Sequence, residues 1–250
     1  MISRQITILS FGILLSMQAS TADAQSYRRN DIAARNIDFG IRLSKAGKYR
    51  ESLVQFDEAI KANPAVADYY IWRGRSLLEV EETRQGMNDL NKAIALDPKK
   101  SEAFYLRARA HYELGNYQFS LRDYSTAFNL VKTPIEKAEI LRLRARMHAA
   151  LKKYELSIAD LSLSLQFNRD PVAFTLRANQ YANVGKYNEA VKDYTDAIAK
   201  STVDDKGKLY SQRAIIYEKI GRKDLAFKDR EKAKQLTKDN WGDLLPEMDK

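Results

Sequence analysis

The chain of 250 residues contains no cysteine. It therefore has no disulfide, no thiol nucleophile, no thiolate metal ligand and no cysteine that could carry a lipid. It also lacks a phosphate-cradling glycine loop and any recognisable motif that places histidine near a serine nucleophile. We predict no catalytic constellation. A pair of carboxylates that meets only in space, as in glycosidases, would leave no motif in the sequence and stays open.

Long apolar runs are also missing. The uncharged, largely apolar stretch at 6–17 has about 12 residues, whereas a membrane-spanning helix needs about 20. It follows the basic Arg4 and precedes the small-residue sequence Ala-Asp-Ala at 22–24. This order predicts a secretory signal peptide over residues 1–24. An uncleaved anchor and an organellar presequence are the alternatives, and a single arginine argues against the second.

The net charge of +9 belongs to the remainder of the chain, because the leader carries one arginine and one aspartate. A positive excess predicts attraction to acidic proteins, anionic lipid or sugar surfaces, and nucleic acid. An exported protein rarely meets RNA, so we do not expect a nucleic-acid partner. A cysteine-free exported chain suits a Gram-negative periplasm, although full secretion to the extracellular space is also open.

A pattern of small, aromatic, glycine and proline positions returns about every 34 residues between residue 33 and about residue 236. Its register is marked by six small residues, Gly40, Gly74, Ala108, Ala145, Ala178 and Ala214. Two helix-period patterns in each repeat flank a short turn, which often contains glycine. Each repeat is therefore predicted to be a helical hairpin.

This set of positions resembles the tetratricopeptide repeat family over about residues 33–236. The resemblance implies an all-α fold, a right-handed α-solenoid of about six helix–turn–helix units, whose first helices line a concave groove for a peptide or a partner's helix. It implies no reaction, no cofactor and no metal. The predicted repeats are 33–66, 67–100, 101–137, 138–170, 171–206 and 207–236, after a lead-in at 25–32.

Three segments depart from the period. Residues 131–137 add about three residues before repeat four, and residues 200–206 add about two before repeat six. We expect longer connections there, which bend the stack or make an edge contact. Residues 237–250, with Trp241 and two leucines, are predicted to cap the last hairpin or to dock elsewhere.

Repeats two to six carry an arginine just before the small residue and an aspartate sixteen residues after that arginine, whereas repeat one has Phe39 and Gln55. Because the turn lies midway between the two positions, we predict an ion pair inside each of these hairpins. The predicted structural pairs are Arg73–Asp89, Arg107–Asp123, Arg144–Asp160, Arg177–Asp193 and Arg213–Asp229.

A second arginine series follows the small residue by one position. The helix face that contains it is the groove face that the resemblance implies. The predicted partner-binding residues are Arg75, Tyr105, Arg109, Arg142, Arg146 and Asn179. Guanidinium groups beside an aromatic ring suit carboxylates and acidic peptides. The alternative is that Glu102 and Glu139 neutralise these arginines and leave a solvated face.

The two histidines, His111 and His148, occupy one packing position in adjacent repeats, and we predict core residues there rather than a metal site. We expect a non-catalytic scaffold that holds an acidic or extended segment of a partner protein, in an envelope-associated assembly. One alternative is a basic protein that binds anionic lipid, lipopolysaccharide or cell-wall polymer, with peripheral envelope contact. An enzyme or accessory domain is the third, and no feature of the chain favours it.

Overall fold

The structure, a computed structural model, describes residues 25–241, with backbone alone from 237, and this range contains helices and no strand. The first helix, α1, is described over 25–45 and includes the predicted lead-in. The others are α2 (Tyr49–Ala62), α3 (Ala67–Glu79), α4 (Thr83–Leu96), α5 (Ser101–Glu113), α6 (Tyr117–Leu130), α7 (Pro134–Ala150), α8 (Tyr154–Phe167), α9 (Pro171–Asn183), α10 (Tyr187–Lys200), α11 (Val203–Lys219) and α12 (Lys223–Trp241). The predicted signal peptide and residues 242–250 lie outside the described residues.

Hairpins are formed by α1–α2, α3–α4, α7–α8, α9–α10 and α11–α12, numbered one, two, four, five and six after the predicted repeats. Their turns, and the turn between α5 and α6, pass through the left-handed backbone region. Gly47, Gly115, Gly185 and Gly221 have φ between 73° and 75°. The turns of hairpins two and four use Glu81 at φ 65° and Lys152 at φ 57° instead. Glycine adopts this conformation at no steric cost, whereas other residues pay for it. The turn geometry is therefore shared by hairpins that lack glycine.

The additional residues before hairpins four and six lengthen helices, so our expectation of longer connections was wrong. Helices α7 and α11 each have 17 residues, whereas α3, α5 and α9 each have 13. Thr133 begins α7 with a capping box: its Oγ1 accepts from the Glu136 amide at 3.3 Å, and Glu136 accepts from the Thr133 amide at 3.4 Å. Pro134 follows at the first helical position, which a proline suits.

The described residues form two compact units, which divide between Glu113 and Leu114. In the first unit α2 packs on α3, α3 on α4 and α4 on α5, and α3 also contacts α5 directly. Gly74 and Gly86 lie where α3 crosses α4, because a Cβ on either would stand 3.1 to 3.2 Å from the carbonyl oxygen of the other. The small-residue positions therefore bring two backbones together.

In the second unit each helix from α6 to α12 packs on the next. Its core combines small and large side chains, with Ala145, Ala178 and Ala190 fully buried beside Leu161 and Phe174. This pairing of small and large residues lets the helices interdigitate at the density of a protein interior. Among the residues described in either unit, no helix is long and apolar enough to cross a bilayer.

Replacing Leu161 by alanine will test the core of the second unit. Leu161 is 1% exposed, so we expect the truncation to lower the free energy of unfolding by about 2–5 kcal/mol. The matched control is Leu156→Ala in the same helix, where the leucine is 50% exposed and the expected change is within about 0.5 kcal/mol. Urea denaturation measures both, and equal effects would contradict the assigned burial.

Candidate functional site

Four of the predicted arginine–aspartate pairs are formed within their hairpins. In each pair the arginine donates from Nε and Nη2 to the two carboxylate oxygens, over distances of 2.5 to 2.8 Å. The pairs are Arg73–Asp89, Arg144–Asp160, Arg177–Asp193 and Arg213–Asp229. This two-point geometry joins the first helix of a hairpin to its second helix.

The same arginines also reach the preceding hairpin, a contact that sequence analysis missed. Nη1 of Arg73 donates to Asp57 at 2.7 Å, and Nη1 of Arg213 donates to the Thr195 hydroxyl at 2.7 Å. Arg144 and Arg177 donate in the same way to serines. The acceptors occupy one position of successive second helices: Asp57, Asn91, Ser125, Ser162 and Thr195. Each of these five residues has a side-chain oxygen that can accept a hydrogen bond. Its recurrence at one repeat position is the sequence signal that could have predicted the contact between hairpins.

Arg107 also makes the contact with the preceding hairpin: its Nη1 donates a hydrogen bond to Asn91 Oδ1 at 2.7 Å. Its predicted partner Asp123 belongs to the other compact unit, so the fifth pair stays a prediction.

Hydrogen bonds to the paired aspartates raise the pKa of Arg73, Arg177 and Arg213, and burial opposes that rise. These guanidinium groups therefore stay charged at any pH at which the protein folds.

In the first compact unit, the predicted groove arginines take part in a ladder of ion pairs between α3 and α5. Arg75 of α3 donates to Glu102 of α5, and Arg109 of α5 donates to Glu79 of α3 at 2.6 Å. Lys100 lies 2.6 Å from Asp68 at the end of the same ladder. Glu102 therefore neutralises Arg75, as the structural alternative proposed.

Arg75 and Arg109 nevertheless keep access to solvent. Their side chains are 38% and 32% exposed, and those of Glu102 and Glu79 are similarly exposed. Pairs in this environment contribute about 0–1 kcal/mol each, because water competes for both charges. Arg75 also stacks on the Trp72 ring at 5.1 Å. The arrangement holds each guanidinium in place while leaving donors that an added carboxylate could use.

The predicted groove residues of the second compact unit have separate surroundings. Arg142 on α7 donates to Asp170, the residue that caps α9, at 3.0 Å. Arg146 is exposed on α7. Asn179 accepts a hydrogen bond from the Tyr194 hydroxyl, whose pKa burial raises to about 12. The Asn179 carbonyl thus takes part in packing within hairpin five. Tyr105, in the first unit, is partly buried against the core.

Apolar side chains that we did not predict as groove residues occupy the first helices of the second unit. Val172 on α9 and Ile215 on α11 are about half exposed. Between α9 and α11 lies a trough of about 270 Å³, whose lining includes Val172, Lys208 and Gln212. Lys208 makes no ion pair with any residue in the described range. The lining also includes the carboxylate of Asp205, so this surface offers apolar contact beside one cation and one anion.

His148 is largely buried beside the Arg144–Asp160 pair. Its Nε2 lies 3.7 Å from Asp160 Oδ2, and its Nδ1 has no hydrogen-bond partner among the described residues. Burial lowers the pKa of His148; Asp160 opposes this effect, whereas Arg144 and Lys153 add to it. No group of three potential metal ligands occurs within residues 25–241.

Comparison with known proteins gives matches in sequence and in structure. The family model of the tetratricopeptide repeat matches residues 37–79 and 73–127. Human serine/threonine-protein phosphatase 5 is 35% identical over 82 residues, which are 33% of this chain and 16% of that protein. The chain therefore matches about a sixth of the length of this curated relative.

Two solved structures share the fold along most of their length. Pseudomonas aeruginosa pilF superposes with a TM-score of 0.71 at 17% identity, covering 83% of this chain and 93% of that one. YrrB, described as a TPR protein with an unusual peptide-binding site, superposes with a TM-score of 0.62 at 18% identity, covering 72% and 91%. At these identities the likeness shows the fold alone.

Removing one member of a shielded ion pair will measure its structural role. Arg177 and Asp193 side chains are 18% and 4% exposed. We expect Asp193→Ala to cost about 3–5 kcal/mol of unfolding free energy, because it strands the buried guanidinium. The control Glu218→Ala breaks an open pair with Arg230 and should change stability by at most about 1 kcal/mol. Urea unfolding compares them, and equal costs would refute the shielding.

Replacing His148 by tyrosine, the residue at the same position of hairpins five and six, will change the pH dependence of stability. An unfolded histidine binds a proton near pH 6.5, and the lowered pKa delays that uptake in the folded protein. Stability is therefore lost as the pH falls below about 6.5. We expect His148→Tyr to reduce the stability difference between about pH 7.5 and 5.5, measured by urea unfolding. An unchanged difference would show that His148 does not contribute.

Proposed function

Because the chain is a tetratricopeptide repeat protein, a fold that supports protein–protein interaction, we propose that it is a non-catalytic scaffold holding an acidic or extended segment of a partner protein. The scaffold presents its first helices to that partner. The proposal includes no chemical step, since recognition requires only fixed donors and apolar contacts.

The observation that carries this proposal is the contrast between two classes of arginine. Arg177 and Arg213 are shielded and use three donor nitrogens on fixed internal acceptors. Arg75 and Arg109 are more exposed and join weak pairs on the first-helix face. A partner carboxylate can add to the second class without breaking the hairpins. Ordered guanidinium groups lose little side-chain entropy when they bind, which favours affinity.

The trough between α9 and α11 supports the choice of an extended segment in the second compact unit. Its volume of about 270 Å³ is close to the lower end of the range for small ligand sites. Val172 and Leu209 supply apolar contact, and the Gln212 side chain can pair with a peptide group. Lys208 and Asp205 add one cation and one carboxylate for polar groups of the segment.

The proposed cellular setting rests on the leader sequence and not on the folded helices. We place the scaffold in the periplasm, within an envelope-associated assembly, because residues 1–24 have the order of a signal peptide. The absence of cysteine is compatible with that compartment, since the fold requires no disulfide.

Association with anionic lipid, lipopolysaccharide or cell-wall polymer is a second candidate function. It is favoured by the hairpin turns of the second unit, which carry exposed cations that form no ion pair within the described range. These cations are Lys152, Lys153, Lys186, Arg222 and Lys223. The three turns lie at the same end of consecutive hairpins, so their charges add on one edge. Binding to such a surface would weaken with salt.

Charge reversal on the first helices will test the scaffold. The wild-type protein and the variant Arg75→Glu, Arg109→Glu, Arg146→Glu are used to capture proteins from an envelope extract, with identification by mass spectrometry. We expect a partner retained by the wild type to bind the variant at least about tenfold more weakly, a difference of about 1.4 kcal/mol. Circular dichroism and urea unfolding establish that the variant is folded.

The matched control reverses three exposed cations on second helices, Lys92→Glu, Arg122→Glu and Lys192→Glu, and it should keep the partner. A milder set, with glutamine at positions 75, 109 and 146, avoids repulsion from Glu79 and Glu102. Equal recovery with all three variants would refute partner binding through Arg75, Arg109 and Arg146. Equal, salt-sensitive losses in the two charge-reversed proteins would instead favour the surface-binding function.

A further inference from the structure

The outer face of hairpin one has an apolar residue where later hairpins have the shielded arginine. Phe39 on α1 occupies that position and is 48% exposed. With Leu43 and Ala46 it lines a shallow pocket of about 420 Å³, completed by Arg42 and Lys48. This volume is within the range of about 300–1,000 Å³ that is usual for ligand sites. The pocket lining includes none of Arg75, Arg109 and Arg146.

The two cations on the pocket rim are only loosely engaged. Arg42 Nε donates to the carbonyl oxygen of Asp38 at 3.3 Å and forms no ion pair with the described residues. Lys48 Nζ lies 3.7 Å from Glu51, and both side chains are about 60% exposed. An apolar floor between two available cations fits a ligand in which apolar side chains alternate with carboxylates.

We propose that this pocket binds residues 242–250 of a second copy of the chain. That segment reads Gly-Asp-Leu-Leu-Pro-Glu-Met-Asp-Lys, with three acidic residues and one lysine. Leu244, Leu245 and Met248 supply the apolar groups for Phe39 and Leu43. Carboxylates stand on both sides of the leucines, where Arg42 and Lys48 can receive them. The segment therefore matches the pocket in charge and in apolar character.

A second copy is the occupant that the chain order favours. The pocket belongs to the first hairpin and the segment follows the last. Nine residues extend at most about 32 Å beyond Trp241, whereas a second copy can bring its segment to the pocket without that limit. Contact between two different surfaces is heterologous, and it joins copies head to tail. A pocket of this size and charge predicts weak association that high salt reduces.

A fluorescent synthetic peptide with the sequence of residues 242–250 tests the binding step. The protein recovered from cells is titrated into the peptide, at protein concentrations below those at which the protein self-associates. We expect saturable binding. Phe39→Asp should weaken it by at least about tenfold, and the pair Arg42→Glu, Lys48→Glu should remove its salt dependence. Phe227→Asp is the matched control, because Phe227 is also exposed, at 65%, but lies on α12. A peptide with serine in place of both leucines should not bind.

Sedimentation velocity tests the head-to-tail arrangement. The wild type should form larger species as its concentration rises. Phe39→Asp, which lacks the pocket, and the double variant Leu244→Asp, Leu245→Asp, which lacks the segment, should each be monomeric. Mixing these two variants restores one complete contact, so the mixture should form a dimer and nothing larger.

Three results would overturn the proposal. The first is failure of the peptide to bind, and the second is equal binding by Phe39→Asp and the wild type. The third is a pair of results: the wild type stays monomeric at every concentration, and the variant Leu244→Asp, Leu245→Asp binds the peptide more tightly than the wild type does. The segment would then occupy the pocket of its own chain. Failure of the capture experiment with Arg75, Arg109 and Arg146 would affect none of these measurements.

Discussion

A guanidinium held between two hairpins is the interaction on which the repeat architecture depends. Its two-point bond to aspartate fixes the first helix of a hairpin against the second. The remaining Nη1 fixes the same hairpin against the one before it, through Asp57 for Arg73 and Thr195 for Arg213. One side chain therefore sets the geometry inside a hairpin and the register between hairpins. Apolar packing alone lacks that directionality, because it is proportional to buried area.

The cost of burying a charge distinguishes these shielded arginines from the exposed arginines of the first helices. A shielded guanidinium must keep all its partners, since an unpaired buried charge is far more costly than an exposed one. Arg75 and Arg109 lie on a face that water reaches, where ion pairs are weak and exchangeable. The shielded arginines precede the small position by one residue and the exposed arginines follow it by one, so about 200° of helix rotation separates the two sets.

Three residues differ from the residue type that other repeats have at the same position, and each has its own surroundings. Phe39 replaces the arginine where no preceding hairpin is described, and it leaves an apolar surface with cations at its rim. His148 replaces the tyrosine of later hairpins, and burial lowers its pKa. Asn179 replaces the arginine of earlier hairpins and binds the Tyr194 hydroxyl. Local exceptions in a consistent pattern are where function or specialisation is expected.

The sequence by itself determined the helices, their turns, the buried small residues and the ion pairs inside hairpins two, four, five and six, because these depend on short separations that the period repeats. It offered Glu102 as one alternative partner of the exposed arginines, but it could not decide which charges pair between hairpins. Glu102 and Glu79 meet Arg75 and Arg109 across 27 and 30 residues, at distances set by how α3 lies on α5. The tertiary structure also decided that the irregular spacings lengthen α7 and α11 and that Asn179 faces Tyr194. Those outcomes depend on the packing of neighbouring helices, which a one-dimensional period does not encode.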